Sequence, residues 1–207
     1  MIKMTSLKTG PVGVNTYIVY DNDTNKGFIV DPGGNEDKIL SKINELGIEV
    51  KDILLTHGHF DHCGACAKLQ KVGMKVYIHN SDAEKLISDE NMSKLVPWYK
   101  FEQFEADEKI VDGQVLEIGG IQITVLHTPG HTSGGVCYIV DKWIFSGDTL
   151  FKNSIGRTDL DKSASHSMLV YSIKKKLFAL EGDYDVYPGH ESFTTLNNEK
   201  QYNPYLT

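Results

Sequence analysis

The sequence predicts an α/β (α+β) fold in which two sets of strands are interleaved with helices. Three observations carry this. The chain opens with period-two alternation between tight turns, then alternates a helical repeat with short apolar strands, and returns to period two in paired hairpins after Lys109.

Ile2–Lys8, Asn15–Tyr20 and Gly27–Val30 read as an antiparallel meander, with turns at Gly10–Gly13 and Asp21–Asp23. Asp31-Pro32-Gly33-Gly34-Asn35 breaks it. Asn35 is the expected N-cap of a helix through Leu46, whose apolar Ile39, Leu40, Ile43 and Leu46 recur at helical spacing before Gly47. Val50–Leu55 is a short buried strand. Cys63–Val72 is expected to be helical and closed by Gly73, followed by a strand at Lys75–Ile78 and a helix capped by Asn80 or Ser81. The polar and aromatic stretch Asp89–Asp107 has no clean period, and two readings stay open: a helical excursion or lid that walls the site, and a satellite apolar cluster under a loop. Val115–Ile118 pairs with Ile121–His127, and Gly135–Val140 with Trp143–Ser146. The polar segment Lys152–Ser167 then leads to a helix near Met168–Leu180 and a strand at Asp185–Tyr187.

With 207 residues, 40% of them hydrophobic, the chain can bury one large core. The excess of 28 acidic over 21 basic residues disfavours a nucleic-acid surface, which depends on clustered Lys and Arg. Lys174-Lys175-Lys176 reads as a solvated helix face. No signal-peptide segment and no membrane-length apolar window is present, so a soluble, cytoplasmic protein with neither a membrane nor a nucleic-acid partner is expected. Three cysteines make no disulfide scaffold and fit a reducing compartment. Cys63 and Cys66 form a CxxC, but their spacing also puts both on one helix face, where buried thiols behave as small hydrophobes.

The chemistry concentrates after Ile53-Leu54-Leu55, in Thr56-His57-Gly58-His59-Phe60-Asp61-His62. Three imidazoles and a carboxylate crowded at a strand end would repel or protonate one another unless a cation shares the charge. The pattern of strand, Gly-containing turn and one metal-capable side chain then recurs in Thr128-Pro129-Gly130-His131-Thr132, Ser146-Gly147-Asp148-Thr149 and Pro188-Gly189-His190-Glu191. The seven donors suit two divalent ions, zinc first, with iron or manganese as alternatives. One division places His57, His59 and His131 on the first ion and Asp61, His62 and His190 on the second, with Asp148 bridging.

These residues resemble the metallo-β-lactamase superfamily, whose HxHxDH motif and later His, Asp and His recur at positions 57–62, 131, 148 and 190. Within it the chain is similar to the glyoxalase II-like (hydroxyacylglutathione hydrolase-like) short subgroup. That likeness rests on the loops at 128–132 and 146–151, Gly156-Arg157-Thr158-Asp159, Tyr187-Pro188-Gly189-His190 and the tail Asn203-Pro204-Tyr205. The resemblance implies an αββα sandwich of two mixed sheets flanked by helices, with 1–207 as a single domain. It also implies that the C-terminal helical domain with which glyoxalase II enzymes bind glutathione is missing, since 17 residues follow His190. The carrier is therefore open: another thiol, a smaller acyl thioester or a lactone.

The activity implied is binuclear metal-dependent hydrolysis of a small-molecule acyl thioester such as S-lactoylglutathione. A hydroxide shared by the cations attacks, and Asp61 orients the water and takes its proton. Asp148, where zinc-dependent β-lactamases usually carry Cys, argues against an antibiotic hydrolase. The alternatives are a mononuclear iron persulfide dioxygenase, or a lactonase or phosphodiesterase of the same superfamily. Arg157 is a candidate for holding a substrate carboxylate, with an ion pair pinning its own loop as the competing role. His79, His127 and His166 show no partner pattern.

Overall fold

Alternation along the strands sorts the apolar side chains into three layers. In the computed structural model, which describes residues 1–207, the first sheet runs β1 (Ile2–Thr9), β2 (Val14–Asp21), β3 (Lys26–Val30), β4 (Glu49–Leu54), β5 (Lys75–His79) and β6 (Glu108–Ile110), in that spatial order. Its first three strands pair antiparallel; β3 to β6 pair parallel. Parallel pairing needs crossovers. These are α1 (Glu36–Leu46), the short α2 (Phe60–Cys63) and α3 (Cys66–Lys71), and a chain of 3₁₀ turns from Asn80 to Leu95.

The second sheet is built from β7 (Val115–Ile118), β8 (Ile121–His127), β9 (Val136–Val140) and β10 (Trp143–Gly147). After the small hairpin β11 (Leu150–Phe151) and β12 (Ser154–Ile155) and helix α4 (His166–Ser172), it is extended by β13 (Asp185–Pro188) and β14 (Thr194–Thr195). The spatial order is β14-β13-β10-β9-β8-β7, with β10 and β13 parallel and the other neighbours antiparallel. Helix α5 (Leu196–Tyr202) follows.

Tyr17, Val19, Phe28, Val30 and Leu54 of the first sheet meet Ile123, Val125, Tyr138 and Phe145 of the second in the central layer. The alternate residues Ile18, Ile29 and Ile53 face α1 and α3 through Ile39, Ile43, Cys66 and Leu69. On the far side, Cys137, Ile144 and Val186 face Leu169, Ile173, Leu177 and Leu196 of the helical segments. Helix, sheet, sheet, helix is thus the layer order, as expected. No helix is long and apolar enough to cross a membrane.

Several local expectations need correction. Asn35 does not cap α1 with its side chain: it sits at φ 56°, and its Oδ1 accepts from Gly10 N at 2.9 Å instead. The helix expected over Cys63–Val72 starts earlier and breaks at Gly64–Ala65. A Cβ at Gly64 would collide with the Tyr99 hydroxyl and the Gly33 carbonyl, so only glycine fits there, and at the break Ala65 N donates to Pro32 O at 2.9 Å. The helix after β5 is 3₁₀, and His79, rather than Asn80 or Ser81, caps it by accepting from Ser81 N. The helix expected to reach Leu180 leaves α-helical geometry at Ile173 and finishes as a π turn over Ile173–Leu177.

His79 also packs between the sheets, stacked on His127 with ring centroids 4.0 Å apart. Burial, helped by the facing imidazole, lowers its pKa to about 4 from 6.5. Between those values the unfolded chain binds a proton that the folded chain refuses, so stability is full above pH 6.5 and declines as pH falls toward about 4. Replacing His79 by Asn, which keeps a cap acceptor, is expected to remove about 2 kcal/mol of that decline, read as the wild-type minus variant difference in urea midpoints between pH 7 and 4. Parallel pH profiles would contradict it.

Candidate metal centre

Both sheets deliver their strand ends to one place. The β4 end carries His57, His59, Asp61 and His62; the β8, β10 and β13 ends carry His131, Asp148 and His190. Hydrogen bonds across the sheets fix the meeting point: Asn15 N donates to Gly189 O at 2.7 Å and Val136 N to Thr56 O at 2.8 Å. The Tyr17 and Tyr138 hydroxyls donate to Pro188 O at 2.6 Å and Leu55 O at 2.7 Å. At the seam there is room only for glycine, because a Cβ at Gly189 would lie 2.5 Å from the His62 ring and 2.6 Å from Asp148 Oδ1.

All seven sequence-identified donors converge there. The ligand atoms within each of three groups lie within 4.8 Å of one another: His57, His59 and His131; His57, His62 and Asp148; and Asp61, His62 and His190. Asp148 lies between the two outer groups, Oδ2 3.6 Å from His131 Nε2 and Oδ1 3.4 Å from His62 Nε2.

The ring nitrogens that face outward settle which nitrogens face inward as lone pairs. Thr56 Oγ1 gives its proton to Asp31 Oδ2 at 2.6 Å, so it accepts from His57 Nδ1 at 3.1 Å. His59 Nε2 donates to Asp161 Oδ2 at 3.1 Å, and His131 Nδ1 to the Arg157 carbonyl at 2.7 Å. His62 Nδ1 donates to Asp31 Oδ2 at 2.9 Å. The inward His57 Nε2 and His131 Nε2 therefore sit 3.0 Å from His59 Nδ1 with no proton to share, a repulsive arrangement that a cation resolves. Buried His62 Nε2 and Asp148 Oδ1 likewise lack a protein hydrogen-bond partner. This donor set fits divalent metal.

The electrostatics agree. Burial, reinforced by neighbouring imidazoles, holds His57 well below the usual histidine pKa, and burial likewise lowers His131, keeping both neutral. Burial opposes charge on Asp148 and Asp61, yet the histidines facing them, His62 foremost, keep both below the ordinary carboxylate range. Burial also opposes a charge on His62, but Asp148, Asp31 and Asp61 outweigh it and hold that ring well above the usual value. A cation in this place would displace that proton.

Three supporting groups escaped the sequence reading. Asp31 also accepts from Thr56 N at 2.8 Å. Asp161, behind His59, is paired with buried Lys85 at 2.8 Å. Asp82 accepts from Gly58 N at 2.9 Å and Gly134 N at 2.8 Å, tying the first histidine loop to the segment after His131. Asp31 had a signal: it follows β3 and precedes Pro32-Gly33, the same strand-and-glycine pattern that marked the donors.

Arg157 is exposed and forks onto Asp159, Nε to Oδ1 and Nη2 to Oδ2, both at 2.8 Å. This is the loop-pinning pair, although Arg157 also borders the cavity over the donors. That cavity has a volume of about 550 Å³. The two readings of residues 89–107 divide the segment. Met92, Leu95 and Val96 wall the cavity, whereas Phe101 and Phe104 pack into the core beneath α3. Cys63 and Cys66 are buried, and burial pushes both thiols well above their usual pKa. Folded protein at pH 7 is accordingly expected to show no fast-reacting thiol toward a disulfide reagent; two rapid equivalents would identify the CxxC as a redox pair.

The chain matches the metallo-β-lactamase superfamily over residues 9–190. It is 34% identical over 205 residues to hydroxyacylglutathione hydrolase GloC of Haemophilus influenzae, covering 93% of this chain and 92% of that protein. The crystal structure of BLEG-1 B3 metallo-beta-lactamase superposes with a TM-score of 0.93 at 34% identity, over 99% of this chain and all of that one. TTHA1623 in a di-iron-bound form gives 0.86 at 32% identity, over 98% of this chain and 100% of that one. Seven converging donors, two mixed sheets between helices and these likenesses lead to one assignment: the chain belongs to the metallo-β-lactamase superfamily.

Proposed function

We propose that this protein is a binuclear metal-dependent hydrolase of acyl thioesters. The observation that carries the reading is the convergence of seven His and Asp donors in two groups joined by Asp148. His57, His59 and His131 would hold one cation and Asp61, His62 and His190 the other, with Asp148 reaching both; zinc suits this mixture of imidazole and carboxylate. Bound there, two divalent cations supply an acidified water and a Lewis acid for a carbonyl oxygen.

The remaining chemistry belongs to the chain. Asp61, anionic and bordering the cavity, orients the attacking water and accepts its proton. Its low proton affinity favours passing that proton to the departing thiolate, a better base. Asp31, Asp161 and the Arg157 carbonyl keep the histidine rings in the required tautomers. Similarity to hydroxyacylglutathione hydrolase GloC supports a thioester substrate, and the acidic composition and the absence of a long apolar helix fit a cytoplasmic enzyme acting on a small molecule.

The test is elemental analysis of protein purified without added metal, beside hydrolysis of S-lactoylglutathione and of a chromogenic cephalosporin by the same sample. About two metals per chain with thioester turnover is the expected result. A single iron, no thioester turnover and oxygen uptake with glutathione persulfide would replace the reading by persulfide oxidation. Cephalosporin turnover alone would replace it by β-lactam hydrolysis.

A further inference from the structure

We infer that the acyl group turned over at this site is apolar and that its thiol carrier is uncharged, an inference that rests on the thioesterase reading above. The walls of the cavity carry it. Met92, Leu95, Val96, Phe151, Ile155 and Leu160 line the cavity together with the metal donors His59, Asp61, His131, Asp148 and His190. Leu95 and Leu160 are 56% and 39% exposed, an apolar rim that only an apolar occupant would cover.

The charges point the same way. Beyond the donors, the wall carries only Arg157 and Glu191 as charged groups. Arg157 is spent on Asp159, and Glu191 repels an anion. In the adjoining recess Lys85 is paired with Asp161 at 2.8 Å and Lys94 with Asp89 at 2.6 Å, which leaves Lys162 as its one unpaired cation. A glutathionyl carrier brings a pair of carboxylates, and this wall offers no free guanidinium or paired ammoniums to receive them. An aliphatic acyl chain meets six apolar side chains instead. The reaction needs only water: the C–O bond forms, the C–S bond breaks, and a carboxylate and a thiol leave, one proton of the water going to the thiol and the other to solvent.

The experiment is a kcat/KM series on the metal-loaded enzyme with N-acetylcysteamine thioesters from acetyl to octanoyl, beside S-lactoylglutathione. Each added methylene is expected to raise kcat/KM roughly two- to fourfold until the cavity is filled, and octanoyl should exceed S-lactoylglutathione by about tenfold or more. Replacing Leu95 and Leu160 together, Leu95→Ser with Leu160→Ser, should cut the octanoyl-to-acetyl ratio about tenfold. A flat or falling series, or S-lactoylglutathione as the fastest substrate, overturns this inference while leaving a thioesterase. If no thioester is cleaved, the thioesterase reading itself falls. Calorimetry with the uncleavable S-octyl thioether of N-acetylcysteamine then decides the apolar subsite, tighter binding than the S-ethyl thioether supporting it and equal or absent binding overturning it.

Discussion

Replacing Asp148 by Ala is expected to lower turnover on the order of a thousandfold and to leave about one metal per chain. Asp148 faces both donor groups, its two oxygens directed at His131 and His62. It is also the counter-charge to His62, which foremost holds it far below the ordinary carboxylate range against the effect of burial. Without it, the remaining carboxylate of the second group, Asp61, sits 3.2 Å from His190 Nε2 but makes no contact with His131. The measurements are metal stoichiometry after dialysis and kcat at saturating substrate. Near-wild-type turnover with one bound metal would refute the two-metal arrangement.

Replacing Asp31 by Ala should do comparable damage from a position that touches no substrate. This carboxylate accepts from Thr56 N, Thr56 Oγ1 and His62 Nδ1, at 2.8, 2.6 and 2.9 Å. Through Thr56 it also sets the hydrogen bond that fixes His57, so one residue orients a donor of each group. Metal affinity is expected to fall about 10- to 100-fold at both positions. Leaving the His62 ring buried without its partner should cost about 3 kcal/mol, or a fall in Tm of about 6–12 °C. Chelator competition and thermal melts of metal-free and metal-loaded protein separate the two effects. An unchanged affinity at the second position would show that Asp31 is structural only.

Most of the frame was legible because apolar strands and glycine turns are local signals. Ile53-Leu54-Leu55 before His57, Phe145 before Asp148 and Val186 before His190 announce buried strands ending in a donor, and the structure places all of these strand ends together. What escaped depends on contacts distant in sequence. At the break in the helix after Cys63, Tyr99 and Gly33 leave room only for glycine and Ala65 N turns to Pro32 O, while Gly10 N engages the Asn35 side chain that would have capped α1. The burial of Lys85 likewise depends on Asp161, which reaches it from a loop far along the chain. Arg157 is the opposite case, since its partner two residues away was in plain view.

The division of the donors between the sheets has a mechanical side. Four come from the loop after β4 in one sheet and three from strand ends in the other, across the rim of the sandwich, where hydrogen bonds such as Asn15 to Gly189 and Val136 to Thr56 join the sheets beside their shared apolar layer. A cation gripped by both would act as a rivet through the sandwich. Withdrawing it would first loosen the joint between two intact sheets, so amides along that seam would exchange sooner than those in the middle of either sheet. On this view the reaction centre and the closure of the fold are the same piece of architecture.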